Sequence, residues 1–313
     1  MSKRWAGAWE LLKETYAEWR RDKAVRFGAA LSFYTVFSLP PLLFLVVSIA
    51  GAIYGEEAIQ GHIVGQVEEF IGKRGAEVIQ TILQHAGDEK KSLAAAIVSF
   101  LILAIGATAV FVELQDSLNA IWEIREKPNR SLLSFLKKRV LSFAIVLGIG
   151  LFLVVSLVLS ALVAALGGLL HNYWFVPTHV VYLLHALNFL VSFLVITVLF
   201  AMIYKVLPHA KIAWRDVWLG AAATALLFTI GKLFVGLYLG GSGTVSAYRA
   251  TGSLIILIVW IYFSAQIFFF GAEFTQVYAR RGGREIEPSE QAERIPGSAH
   301  ERRSSAERTN DAA

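Results

Sequence analysis

Few residues of this chain could do chemistry, and nearly all lie within or beside long apolar runs. Glu113 and Asp116 lie three residues apart, with Asn119 and Glu123 about one and two helical turns further on, and Glu273 stands in a distant apolar run. At helical spacing Glu113, Asp116 and Asn119 fall on neighbouring positions of one face. With Glu273 at a similar depth, the carboxylates could form an acidic vestibule for a cation or proton. They could equally be braces paired with Arg26, Lys137, Lys138, Arg139 or Lys205. His185, Asn188 and Ser192 follow at steps of three and four. That polar stripe could line a solute path, or hold helices together through bonds worth on the order of 1 kcal/mol each. Lys232 is placed to snorkel toward headgroups. Arg249 follows a Gly-rich connection, Gly240-Gly241-Ser242-Gly243, and Gln266 shares a helical face with Glu273.

Enzyme signatures are missing from this set. The sequence has no His-Glu-x-x-His, no Gly-x-Ser-x-Gly and no phosphate-binding glycine loop ending in Lys-Ser/Thr. His171, His179 and His185 lack metal-ligand spacing. Without cysteine, disulfides, thiol chemistry and Cys-based metal sites are excluded. The expectation is therefore a non-enzyme with no catalytic residue, no metal site and no cofactor.

The elements that must position these residues are long helices. Apolar residues make up 56% of the 313 positions and charged residues 17%, too little charge for a water-facing surface of this size. Runs of twenty or so apolar residues cross a hydrocarbon core about 30 Å thick at about 1.5 Å per residue. The expected fold is all-α, a polytopic membrane bundle of six transmembrane helices with amphipathic interfacial helices. The spans are expected at 27–54, 92–115, 140–170, 180–204, 216–239 and 252–278, with an external amphipathic segment at 55–91. Helix is expected to continue past the second span to about Ile124. Pro40-Pro41 should break or kink the first span, because each proline removes a backbone donor and crowds the preceding turn. In the third, Ser156, Ser160, Ala164 and Gly168 put a small residue at every fourth position, a face for close packing within one copy or between two.

The ends differ in kind. Residues 1–26 read as a cytoplasmic amphipathic helix, with Trp5, Trp9, Leu12, Tyr16 and Trp19 on one face. It either lies in the headgroup boundary or packs on the bundle. From 280 to 313 the chain is polar and Pro-containing, which predicts a disordered cytoplasmic tail. No cleavable signal peptide is visible, so the first span should serve for targeting. Lys and Arg number 23 in the segments assigned to the cytoplasm against 5 in the opposite set, which orients both termini inward. That distribution explains the +5 net charge through lipid headgroups and orientation rather than nucleic acid.

Several stretches resemble one family. Ala30-Leu-Ser-Phe-Tyr-Thr-Val-Phe-Ser-Leu-Pro-Pro-Leu42, Leu114-Gln-Asp-Ser-Leu-Asn-Ala-Ile-Trp122, and Pro208 with Ala210-Lys-Ile-Ala-Trp-Arg215 are similar to segments of the YihY/BrkB family of bacterial inner-membrane proteins. So is Tyr248-Arg-Ala-Thr-Gly-Ser-Leu254, continuing through Trp260-Ile-Tyr262 to Gly271-Ala-Glu273. The likeness runs from about Ala24 to Tyr278; Arg249-Ala250-Thr251 departs from it where smaller residues are expected. The resemblance implies six helices in the cytoplasmic membrane and no agreed biochemical role. A ribonuclease label carried by some members fits poorly, since it would need a His/Asp-rich metal centre. The expected function is transporter- or permease-like, or lipid-handling. The alternative is a structural or envelope-organising protein without transport activity. Expected partners are membrane lipids and a second copy of the chain, with the identity of any small-molecule, ion or lipid substrate open.

Overall fold

The computed structural model describes residues 2–54, 60–61, 63–65, 68, 76–77, 79–84, 106, 109–127, 178–241 and 249–296. The third expected span, most of the second, and the chain after 296 lie outside them. The described residues are mostly helical. Helix α1 covers Ser2–Arg21 and α2 Ala24–Tyr54. Helical residues at 60–61, 63–65, 68, 76–77 and 79–84 follow, and α3 includes 109–121. Strand β1 is Ile124–Glu126, α4 Thr178–Val206, β2 Ala210–Lys211, α5 Trp214–Gly241 and α6 Arg249–Arg281. Strands β3, Glu287–Pro288, and β4, Ala292–Arg294, complete the order.

Among the described residues, three stretches are long and apolar enough to cross a membrane. They are Phe189–Val206 in α4, with mean hydropathy 2.4, Trp214–Phe234 in α5 and Leu257–Arg281 in α6. Exposed Phe189, Leu190, Leu194, Leu233 and Phe234 on α4 and α5 would be a liability in water and are the natural surface in lipid.

The chain divides into two units. The first comprises Met1–Ser117 and Leu227–Phe270. Within it, Lys23 adopts a left-handed φ of 57°, which ends α1 and lets α2 begin. Helix α1 buries Thr15 and Glu18 and leaves Trp9, Leu12 and Tyr16 exposed, so the middle of its aromatic stripe faces outward while Trp19 is half-buried. Helical assignment in α2 runs through Pro40-Pro41, where the sequence predicts a break or kink. Each proline forfeits one hydrogen bond, whereas opening the helix would strand further backbone groups. The preceding turns are reinforced by Thr35 Oγ1 donating to the Leu31 carbonyl at 2.8 Å and Ser38 Oγ to that of Thr35 at 3.0 Å. Leu43 packs with Ile79 and Leu83, flanked by Leu39, Ile63, Val64 and Ile82, so apolar positions after α2 have a partner.

The second unit comprises Leu118–Leu226 and Gly271–Ala313. Its core holds Leu118, Ile121, Trp122, Tyr204, Val217 and Val277. Here the all-α expectation needs a correction, because two short antiparallel strand pairs occur. β1 pairs with β4, setting Ile124 opposite Arg294, and β2 pairs with β3, setting Ala210 opposite Pro288. The expectation of disorder from residue 280 is corrected as far as 296. Helix α6 runs on to Arg281, Gly283 turns the chain at φ 67°, and the following segment joins both pairs. Backbone ladders need no apolar pattern, and buried Ile286 and Ala292 anchor the segment.

Candidate functional site

The second unit contains a buried polar layer built from glycine and threonine. Gly220 and Thr224 lie one turn apart on α5, and Gly271 and Thr275 repeat the spacing on α6. A Cβ on Gly220 would collide with the Thr275 hydroxyl, and a Cβ on Gly271 with that of Thr224. The two Gly-x-x-x-Thr units therefore interlock, each glycine admitting the other helix's threonine. Thr224 Oγ1 donates to the Gly220 carbonyl at 2.7 Å, and Thr275 Oγ1 to the Gly271 carbonyl at 2.8 Å. Since the Thr224 proton is committed, the Tyr204 hydroxyl donates across the 3.1 Å contact to Thr224 Oγ1. Trp122 lies edge-on to Tyr204 with centroids 6.4 Å apart, and its indole N–H donates to the Ala272 carbonyl at 3.3 Å. Glu273, the next residue, is fully buried.

Around this layer the loops are tied. Asn119 is buried, and its Oδ1 accepts the His209 backbone N–H at 2.9 Å while its amide nitrogen lies 3.3 Å from His209 Nδ1. The His209 carbonyl accepts the Ser289 N–H at 2.9 Å, and the Glu123 carbonyl accepts that of Ile295 at 2.9 Å. Glu123 itself has a left-handed φ of 58°, the turn that converts α3 into β1. Asp216, in the first turn of α5, is 1% exposed. Its carboxylate accepts from Arg284 Nε at 2.9 Å and from the terminal guanidinium nitrogen at 2.7 Å. This hydrogen-bonded carboxylate holds the Arg284 guanidinium above its ordinary pKa. Lys205 donates to the Ile212 carbonyl and lies over the Trp214 ring.

The residues singled out from the sequence fare differently. Asn119 and Glu273 belong to the second unit, Glu113 and Asp116 to the first. Glu113 is half-buried and accepts from Ser117 Oγ at 3.5 Å, and Asp116 is exposed. Ser192 is half-buried; the side chains of His185, Asn188, Pro41 and Arg249 lie outside the described ones, and Pro40 is exposed. Gln266 donates from Nε2 to the Val25 carbonyl at 3.5 Å, and the absent side chain of Gly28 makes room for it. Half-buried Lys232 lines a groove between α5 and α6 with Phe228, Trp260 and Phe263. Sequence reasoning missed the interlocked glycines, Tyr204 and the Asp216–Arg284 pair. The repeated Gly-x-x-x-Thr on consecutive spans was the available signal for the first.

A family model described as "Virulence factor BrkB" matches residues 15–296. A "UPF0761 membrane protein" of Verminephrobacter eiseniae is 30% identical over 276 residues, covering 85% of this chain and 62% of its own length. One of Pseudomonas aeruginosa is 30% identical over 258 residues, covering 80% and 58%. One of Tolumonas auensis is 34% identical over 180 residues, covering 57% and 56%. The chain thus spans about three-fifths of the length of the curated relatives it matches. No solved structure matches it.

Proposed function

Because the chain belongs to the virulence factor BrkB family, we propose that it is a multi-pass inner-membrane protein that handles lipid along the faces of its spans. Both termini are cytoplasmic in this reading, and the number of spans is six. The reading is supported by the division of polar from apolar groups. In the second unit Tyr204, Thr224, Thr275 and Trp122 are committed to helix packing, while the outward positions of α4 and α5 are large and apolar. Such a surface offers its chemistry to lipid rather than to a solute. The activity involves no covalent step, no cofactor and no nucleic acid.

A second reading, a structural or envelope-organising protein, draws on the strapped loops, which rigidify one end of the chain. Reconstitution of the full chain in liposomes separates these. Redistribution of a fluorescent phospholipid between leaflets above the protein-free rate is the expected result. Uptake of ions or small solutes without lipid movement makes the protein a permease, and neither signal favours the structural reading.

A further inference from the structure

Helix α1 sorts its charges between two sides. It packs against α2, and its covered side carries acid: Glu18 is buried, Glu14 and Asp22 half-buried. Arg21 serves that side, its guanidinium 2.6 Å from Glu18 and 3.2 Å from Asp22. The opposite side presents Trp9, Leu12, Lys13, Tyr16 and Arg20, all exposed. Their spacing keeps them on one stripe, with cations interleaved among apolar side chains. Lys13 Nζ lies 5.4 Å from the centroid of the Trp9 ring, and Tyr16 stacks on Trp19 with centroids 5.8 Å apart. Glu10 is exposed as well, but at about 100° per residue it projects roughly at right angles to Trp9.

We infer that this outward stripe docks on the anionic surface of the bilayer that holds the chain, with Trp9, Leu12 and Tyr16 among the headgroups and Lys13 and Arg20 on lipid phosphates. Large apolar side chains clustered on one exposed stripe are unfavourable in water. Aromatic rings with basic neighbours suit the headgroup boundary, where the ring is buried and the cation meets negative charge. The ring contact of Lys13 carries no net charge and is worth only about 0.5–1 kcal/mol at an exposed site, so the amine still serves a phosphate. The sorting of charge selects the occupant. A face that offers cations and turns its carboxylates inward opposes a basic partner or a copy of itself, and favours net negative headgroups. The sequence leaves α1 either at the boundary or on the bundle; the structure gives it one side for each. The inference takes from the reading above only that the chain is embedded in lipid.

The test places a fluorophore on Ala17→Cys, exposed beside Lys13 and the single cysteine in a chain that otherwise has none, with the full chain in nanodiscs. Spin-labelled headgroups quench the docked helix, and aqueous iodide quenches the free one. The docked form should dominate in phosphatidylglycerol mixed equally with phosphatidylcholine, and the docked-to-free ratio should fall in phosphatidylcholine alone or at high salt. Lys13→Gln with Arg20→Gln should lower the ratio in the anionic nanodiscs about twenty-fivefold, about fivefold for each interfacial cation, and leave it unchanged in phosphatidylcholine. Lys13→Arg with Arg20→Lys should preserve it. An unshifted melting midpoint checks that the double Gln variant is folded. Equal ratios in the two lipids, or an anionic-lipid ratio that survives the double Gln variant, overturn the inference. Iodide quenching in every lipid does so too and leaves the stripe to a soluble protein. A disulfide between unlabelled Ala17→Cys copies also overturns it, making the stripe an interface between copies. Liposomes that show no lipid movement refute the functional reading alone and leave the docking intact.

Discussion

Helices α5 and α6 contribute to both units, and their chemistry differs between the two stretches. Up to Leu226 on α5 and from Gly271 on α6, contact is made by glycine against threonine, backed by Tyr204, Trp122 and the loop-strapping segment 282–296. From Leu227 on α5 and up to Phe270 on α6, contact is apolar: Gly231 meets the flexible tip of Ile267, and aromatic rings line an open groove around Lys232. The difference shows how a bundle in lipid divides labour. Apolar faces gain nothing from leaving a solvent as greasy as themselves, so specific association is concentrated where small residues and hydroxyls meet. The other stretch stays adaptable and is left to interact with lipid.

The largest effect should come from forcing the two stretches to carry the same change. Gly271→Ala drives a methyl into Thr224 Oγ1 and within 2.6 Å of the Tyr204 hydroxyl, in a layer with no room to shift. It should cost about 3 kcal/mol and lower the melting midpoint in detergent sharply. Gly231→Ala meets only the end of Ile267, which can rotate away, and should cost about 1 kcal/mol or less. Equal losses would erase the distinction between the stretches. Next comes Arg284→Met, which leaves the buried Asp216 carboxylate without its fork. Loss of one partner of a buried pair costs about 3–5 kcal/mol. Arg284 keeps 34% of its side chain in solvent, so screening reduces the expected loss below that of a fully buried pair. The checking measurement is cleavage after exposed Glu290 by a glutamate-specific protease, which should accelerate in Arg284→Met and stay slow in Gly231→Ala.

Tyr204→Phe sharpens the comparison at smaller scale. The phenol donates to Thr224, but Thr224 keeps its own bond to Gly220, so thermal melting should report a loss of about 1 kcal/mol. This residue also marks the limit of what the sequence conveys. The spans expected at 180–204, 216–239 and 252–278 appear as helices Thr178–Val206, Trp214–Gly241 and Arg249–Arg281, because a long apolar run directly records its solvent. Tyr204 closes such a run, and nothing in its spacing announces a hydroxyl across from Thr224. The segment after Arg281 was illegible for another reason. Strands of two or three residues are held by backbone hydrogen bonds that any side chain permits, so their polar sequence reads as disorder. At Pro40-Pro41 helical assignment is kept through a strong local breaker, as the cost of exposing backbone in lipid favours.

The smallest effect belongs to the most visible ion pair. Arg125 donates from Nε to Glu293 Oε1 at 2.8 Å, and a second guanidinium nitrogen lies 2.7 Å from the same oxygen. By geometry alone it rivals Asp216–Arg284. Its side chains, however, are 54% and 38% exposed, so water already solvates both charges and salt screens them; such pairs contribute about 0–1 kcal/mol. The β1–β4 register, with Arg125 opposite Glu293, is held by backbone bonds and by buried Ile124 and Ala292, none of which needs the charges. Arg125→Ala should therefore leave the melting midpoint and the protease rate at Glu290 within error of wild type. A loss matching that of Arg284→Met would mean that surface charge, rather than the buried fork and the ladders, ties the segment down.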